Sequence, residues 1–105
     1  MSSELKLVEE PMADAVKIRL IGEVDIYTSQ KLKDRLYAVV DASKQDLRID
    51  CTDLNYIDST GLGIFVGTLK KAKQNEKNIY ISHLKENIKK LFLITGLDKL
   101  FVLED

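Results

Sequence analysis

The run Ile57-Asp58-Ser59-Thr60-Gly61-Leu62-Gly63-Ile64-Phe65-Val66-Gly67 sets a carboxylate, two hydroxyls and three of the chain's five glycines beside large apolar residues. Either the backbone turns tightly there or something approaches it closely. Glycines at the start of a helix first suggest anion binding, because first-turn amides can hold a phosphate. The dinucleotide fingerprint, however, requires glycine where the chain has Val66. A P-loop requires Gly-Lys-Ser/Thr, and no lysine stands in that place. A serine-hydrolase elbow requires a glycine two residues before the serine, where this chain has Ile57. His83 could serve Ser59 as a base only if the fold carried it there, and a solvated or capping histidine at a strand end is the simpler reading.

Short oxygen side chains at Asp58, Ser59 and Thr60 suit helix capping. Gly63 and Gly67, four apart, suit close packing of that helix on a sheet. Neither role accounts for Leu62, Ile64, Phe65 and Val66, which make the first two turns apolar nearly all round. Some of these side chains are therefore expected on the surface beside the serine, as a partner-binding patch. A phosphoryl group on Ser59 would add close to two negative charges at a helix N-terminus, where the fold can accommodate them. A bound partner would instead face a dianion beside Asp58 within an apolar contact. That chemistry is a switch of binding by surface charge.

The elements that must position these groups follow from periodicity. Val16, Ile18 and Leu20 alternate with Lys17 and Arg19, as in a strand with one buried face, and Gly22 is expected to end it. LKLVE before it is a weaker strand, and Pro11 in EEPMADA is expected in the turn between them, giving an antiparallel pair at a sheet edge. Leu32, Leu36, Val39 and Val40 share a helical face, so a helix is expected from about Ser29 to Ala42 with Thr28 or Ser29 at its cap. DLRIDCTD is read as a short buried strand, and Leu62, Val66 and Leu69 mark a helix after Asp58. NIYIS is a strand from Asn78, ENIKKLFLITGL a helix stopped by Gly96, and KLFVLE a short strand or helix end. Strand-helix alternation of this kind specifies an α/β domain. The sheet should be mixed but mostly parallel, with four to five strands and about four helices. Sites in such sheets collect beyond the carboxyl ends of strands, and two loops qualify: GEVDIYTS and NYIDSTG.

At 105 residues the chain is expected to form a single domain, 1–105. Sixteen basic against seventeen acidic residues argue against nucleic acid or an anionic membrane as the main partner. Cys51 is the one cysteine, so no intrachain disulfide is possible and a reducing, cytoplasmic setting is expected. No segment reads as a signal peptide or has the ~18 uncharged residues of a membrane helix. One cysteine and one histidine cannot supply a zinc site, and neither metal nor cofactor is expected.

Along IGEVDIYTSQKLKDRL, DLRIDCTDLNYIDSTGLGIFVGTLKKAK and LFLITGLDKLF, the chain resembles the anti-sigma factor antagonists, STAS domains of the bacterial general-stress and sporulation type. The resemblance implies a protein without catalytic activity. Its unphosphorylated form would bind an anti-sigma factor that is itself a serine kinase, releasing the sigma factor. Phosphorylation of Ser59 would end that capture, with Thr60 as a secondary acceptor, and a PP2C-type serine phosphatase would restore it. The family's second acidic position falls on Asp25. The implied contact surface is Asp25, Asp58, Ser59, Thr60, Gly61, Leu62, Ile64 and Phe65. Two other readings stand beside it: a STAS module that senses a nucleotide or other small ligand through the Asp25 and Ser59 loops, and, last, a hydrolase using Ser59 and His83.

Overall fold

A computed structural model describes residues 4–105. Five strands lie in the order β1-β2-β3-β4-β5, with β1 (Leu5–Pro11) antiparallel to β2 (Ala15–Val24). β3 (Asp46–Ile57), β4 (Ile79–Ser82) and β5 (Val102–Glu104) continue the sheet in parallel. The crossovers carry α1 (Ser29–Ser43), α2 (Ser59–Gln74) and α3 (Glu86–Thr95). The expected mixed, mostly parallel α/β sheet is therefore found, with three α-helices rather than about four. The last helical stretch is only a 3-10 turn, Leu97–Lys99, before KLFVLE resolves into β5.

Alternation decides which sheet face is covered. Ile18, Leu20, Leu47, Ile49, Cys51, Ile79 and Ile81 are buried, while their neighbours Lys17, Arg19, Arg48, Asp50, Tyr80 and Ser82 are partly or fully solvated. β3 is thus not the fully buried strand its apolar residues suggest, because the helices cover only one face. The opposite face is held by charge pairs: Arg19 with Asp53, Arg48 with Glu104 at 2.7 Å, and Lys17 with Asp50 at 3.8 Å. Arg48 also lies over the Tyr80 ring, 4.5 Å from its centroid.

Asp50 makes this face sensitive to acid. Partial burial alone would raise its carboxyl. Hydrogen bonds from the Thr52 hydroxyl and amide, helped by Lys17 and His83, outweigh that and hold it below the usual carboxylate range. A depressed folded value stabilises the fold above the unfolded carboxyl's pKa of about 4, and that contribution is lost as pH falls through the folded value. Asp50→Asn should therefore flatten the acid limb of stability against pH, as measured by denaturant melts at a series of pH values. An unchanged slope would remove Asp50 from the account.

The β1–β2 connection also differs from expectation. Pro11 is the last residue of β1, opposite Val16, and the turn falls on residues 12–14. This placement costs no ladder bond, because Met12, not Pro11, donates its amide back to the Ala15 carbonyl. Nor does β2 end at Gly22. The strand runs on to Val24, with pairing irregularities between Arg19 and Ile21 and between Gly22 and Glu23. Gly22 takes φ 122°, a conformation that lets the strand bend and continue. Gly96 does stop α3 as expected, in the left-handed conformation with φ 77°.

The core joins the layers. Phe65 of α2, Phe92 of α3 and Phe101 before β5 form a three-ring cluster with centroids 5.9 to 6.3 Å apart in tilted and edge-to-face geometry. α1 packs on α2. Cys51 lies buried at the centre of β3, and that burial pushes its thiol well above the usual range.

Candidate functional site

β2 and β3 end side by side, with Val24 opposite Ile57. The next residues, Asp25 and Asp58, therefore enter adjacent loops at the same edge. The Asp58 amide donates to the Val24 carbonyl at 3.2 Å, stitching the two loops together. Each then leads into a helix, so two helix N-termini open at one end of the sheet.

Asp58 caps α2: its Oδ1 accepts from the Gly61 amide at 3.0 Å. This satisfies one of the four first-turn N–H groups that a helix leaves without an internal acceptor. Ser59 and Thr60 follow as the first two helical residues, and both are exposed. The cap expected among Asp58, Ser59 and Thr60 is thus Asp58, which frees the Ser59 hydroxyl from capping duty. Gly63, one turn on, is exposed too, and a methyl group there would meet open space.

The neighbouring loop is tied as firmly. Asp25 Oδ1 accepts from the Tyr27 amide at 2.9 Å and the Thr28 amide at 3.2 Å. The buried Thr28 hydroxyl donates to the Glu23 carbonyl at 2.8 Å and accepts from the Asp25 amide at 3.0 Å. Thr28 occupies the cap position of α1, as expected, but its hydroxyl braces the loop instead of capping the helix. Asp25 is therefore a fixed acidic post beside Ser59's helix, with Ile26 and Tyr27 held outward at 67% and 76% exposure.

Those two residues change the expected contact surface. Leu62 and Ile64 are only 9% exposed, Phe65 is fully buried and Val66 is half-buried, so α2 offers little of the expected apolar patch. A helix that is apolar nearly all round needs cover on several sides, and α2 has it. Gly61 lies against Val24 and Ile57, Gly67 against Tyr37 of α1, and Phe65 against Phe92. The exposed apolar side chains nearest the two loops are Ile26, Tyr27 and Tyr56, which sequence reasoning missed. Their signal was present: Ile26-Tyr27 breaks the strand alternation between an aspartate and a threonine able to close a turn.

The glycines separate by role. A Cβ on Gly61 would lie 2.6 Å from both Ile57 Cγ1 and Val24 Cγ1, inside the core. Gly67 faces the Tyr37 hydroxyl, so it admits α1 rather than the sheet as first expected. Gly63→Ala should raise stability by about 0.5–1 kcal/mol, the helix-propensity difference. Gly61→Ala should lower it by about 1–3 kcal/mol, as overpacking does. Thermal melts of both variants check the contrast, and equal effects would overturn it.

His83 is not brought to Ser59. It follows β4 at the level of Asp50, 3.8 Å from that carboxylate, and takes φ 62°. Asp50 and Ile57 stand seven positions apart along β3, about 23 Å of extended chain. A cleft of about 620 Å³ adjoins the Asp25 loop, but its lining is Tyr27, Thr28, Lys31 and the β1–β2 edge, without Asp25 or Ser59. Among the described residues no group of three or more His, Cys, Asp or Glu could hold a metal, and no helix is long and apolar enough to cross a membrane.

A family profile described as the STAS domain matches residues 7–105. The chain is 42% identical over 87 residues to an anti-sigma-B factor antagonist of Staphylococcus epidermidis, covering 83% of this chain and 81% of that protein. A solved anti-sigma factor antagonist from Mycobacterium paratuberculosis superposes with a TM-score of 0.83 at 26% identity, over 96% of this chain and 86% of that one. The Bacillus cell fate determinant SpoIIAA, solved in its phosphorylated form, shares the fold with a TM-score of 0.69 at 18% identity, over 97% and 90% of the two chains.

Proposed function

Since this chain belongs to the STAS domain family, among the anti-sigma factor antagonists, we propose that it works as a phosphorylation-controlled partner switch. In this reading the unphosphorylated form captures an anti-sigma factor that is a serine kinase. ATP-dependent phosphorylation of Ser59 ends the capture, and a PP2C-type serine phosphatase resets it.

The observation that carries the proposal is the exposed Ser59 hydroxyl at the first position of α2, with Asp58 already serving as the cap. A phosphoryl group placed there meets the free amides and positive end of the helix, so the domain itself need not rearrange. A partner seated on the same surface meets about two added negative charges beside Asp58, and must desolvate them. The switch then acts on the complex and leaves the fold intact. Ile26, Tyr27 and the exposed Ser59–Thr60 edge form the contact surface, while Gly61, Leu62, Ile64 and Phe65 hold α2 in position from beneath.

The test is a reconstitution. Purified protein incubated with the serine kinase and magnesium ATP should gain one phosphate, mapped by mass spectrometry to Ser59, and should leave the complex as it does so. A phosphate mapped to another residue, with release unimpaired in Ser59→Ala, would overturn the assignment.

A further inference from the structure

Of the sheet's two edges, β5 has three residues and β1 has seven. The Glu23 amide donates to the Glu4 carbonyl, and Met12 to Ala15. By ladder alternation the backbone groups of Lys6, Val8 and Glu10 turn toward β2, and those of Leu5, Leu7, Glu9 and Pro11 turn outward. An outward row of this kind is a template for another strand.

Natural edges are blunted by lysine and proline, and this one carries both. Their placement leaves one opening. The Leu5 carbonyl is already taken by Lys31 Nζ at 2.6 Å, and Pro11 has no amide to donate. The two blunted groups lie at opposite ends of the strand, and an antiparallel partner centred on Val8 sets Leu5 against Pro11. A carbonyl that needs no donor then faces a residue that has none.

We propose that β1 pairs antiparallel with β1 of a second copy of this chain, about a twofold axis at Val8. Leu7 and the second copy's Glu9 exchange backbone hydrogen bonds, and so does the symmetry-related pair. Lys6 lies directly opposite the second copy's Glu10 on the polar sheet face, in the closer, non-hydrogen-bonded class of pair. Glu10 already sits 3.9 Å from its own Lys17, so each new contact extends an existing charge network. Neighbouring registers lack this match. An axis at Leu7 opposes Glu4 with Glu10, and an axis at Glu9 opposes that residue with itself. The self-complementary patch is what a closed twofold dimer requires. It joins two five-stranded sheets and points the two Ser59 loops to opposite ends, so each stays accessible.

Sedimentation equilibrium over a concentration series tests the pairing. Wild-type protein should show a monomer–dimer equilibrium. Lys6→Glu and Glu10→Lys each place like charges opposite one another and should each weaken the dimer at least about tenfold. An equimolar mixture of the two variants restores opposite charges at both contacts and should recover a heterodimer, a result that also shows both variants to be folded. Glu9→Pro removes an outward amide while sparing the ladder to β2, and should abolish the dimer with the far-ultraviolet spectrum unchanged. A wild-type monomer at every concentration, a dimer indifferent to Glu9→Pro, or no recovery in the mixture would each overturn the proposal.

Discussion

On the proposed switch, Ser59→Asp is expected to weaken capture of the serine kinase about thirtyfold or more, whereas Ser59→Ala should bind as wild type and resist release by ATP. The difference follows from the surroundings of the hydroxyl. Ser59 is exposed and uninvolved in the cap, so removing its oxygen costs the fold little. On the proposed switch, a carboxylate in its place stands next to Asp58, on the surface that a captured partner would have to desolvate. An unpaired charge trapped in a contact costs about 2–5 kcal/mol, and 2 kcal/mol corresponds to about thirtyfold in affinity. Calorimetric titration of each variant with the kinase measures this directly. Because one carboxylate carries half the charge of a phosphoryl group, authentic phosphorylation should weaken binding further. Equal affinities for wild type and Ser59→Asp would show that charge at this position is not what the partner reads.

The largest stability effect is expected at Gly22. Its φ of 122° is strained for any residue with a side chain, and a Cβ there would land on the Glu4 carbonyl oxygen and within 3.3 Å of Leu5 Cα. That carbonyl accepts the Glu23 amide at 2.9 Å, so neither partner can withdraw without opening the β1–β2 ladder. Strain and the backbone clash together should cost about 3 kcal/mol or more in Gly22→Ala. In a domain of this size that lowers the melting temperature by about 15 °C. Denaturant titration of Gly22→Ala beside Gly63→Ala gives an internal control. If both glycines tolerate alanine alike, the β1–β2 ladder does not depend on a bare backbone at Gly22.

How much of this was legible in the sequence varied with the range of the interactions involved. β2 announced itself because Val16, Ile18 and Leu20 alternate within one strand, and a helix cap among Asp58, Ser59 and Thr60 because capping acts within three residues, though only the structure singles out Asp58. The adjacency of the two loops was also legible, since parallel strands joined by helices bring their carboxyl ends together. What sequence could not supply was the number of neighbours around α2. Its apolar first turns suit exposure or burial equally, and only the packing of α1 on α2 and of Phe92 on Phe65 decides for burial. Ile26 and Tyr27 were missed for the opposite reason. Apolar residues next to a strand are readily assigned to the core, yet here the Asp25 carboxylate closes a turn that leaves them outside. A left-handed kink inside a paired strand has no periodic signature, so in sequence Gly22 reads as a stop.

Cys51 offers a consequence of another kind. As the one cysteine, buried at the centre of β3 with its thiol kept protonated, it is inert to alkylating reagents while the sheet is closed. Modification must then wait for the central strand to open. The labelling rate becomes a native-state clock for that event, with no engineered probe. A ligand that binds only the closed form slows the clock by the factor 1 + [L]/Kd. The same thiol that contributes only packing to the core thus gives the experimenter a direct reading of how tightly any partner holds the domain.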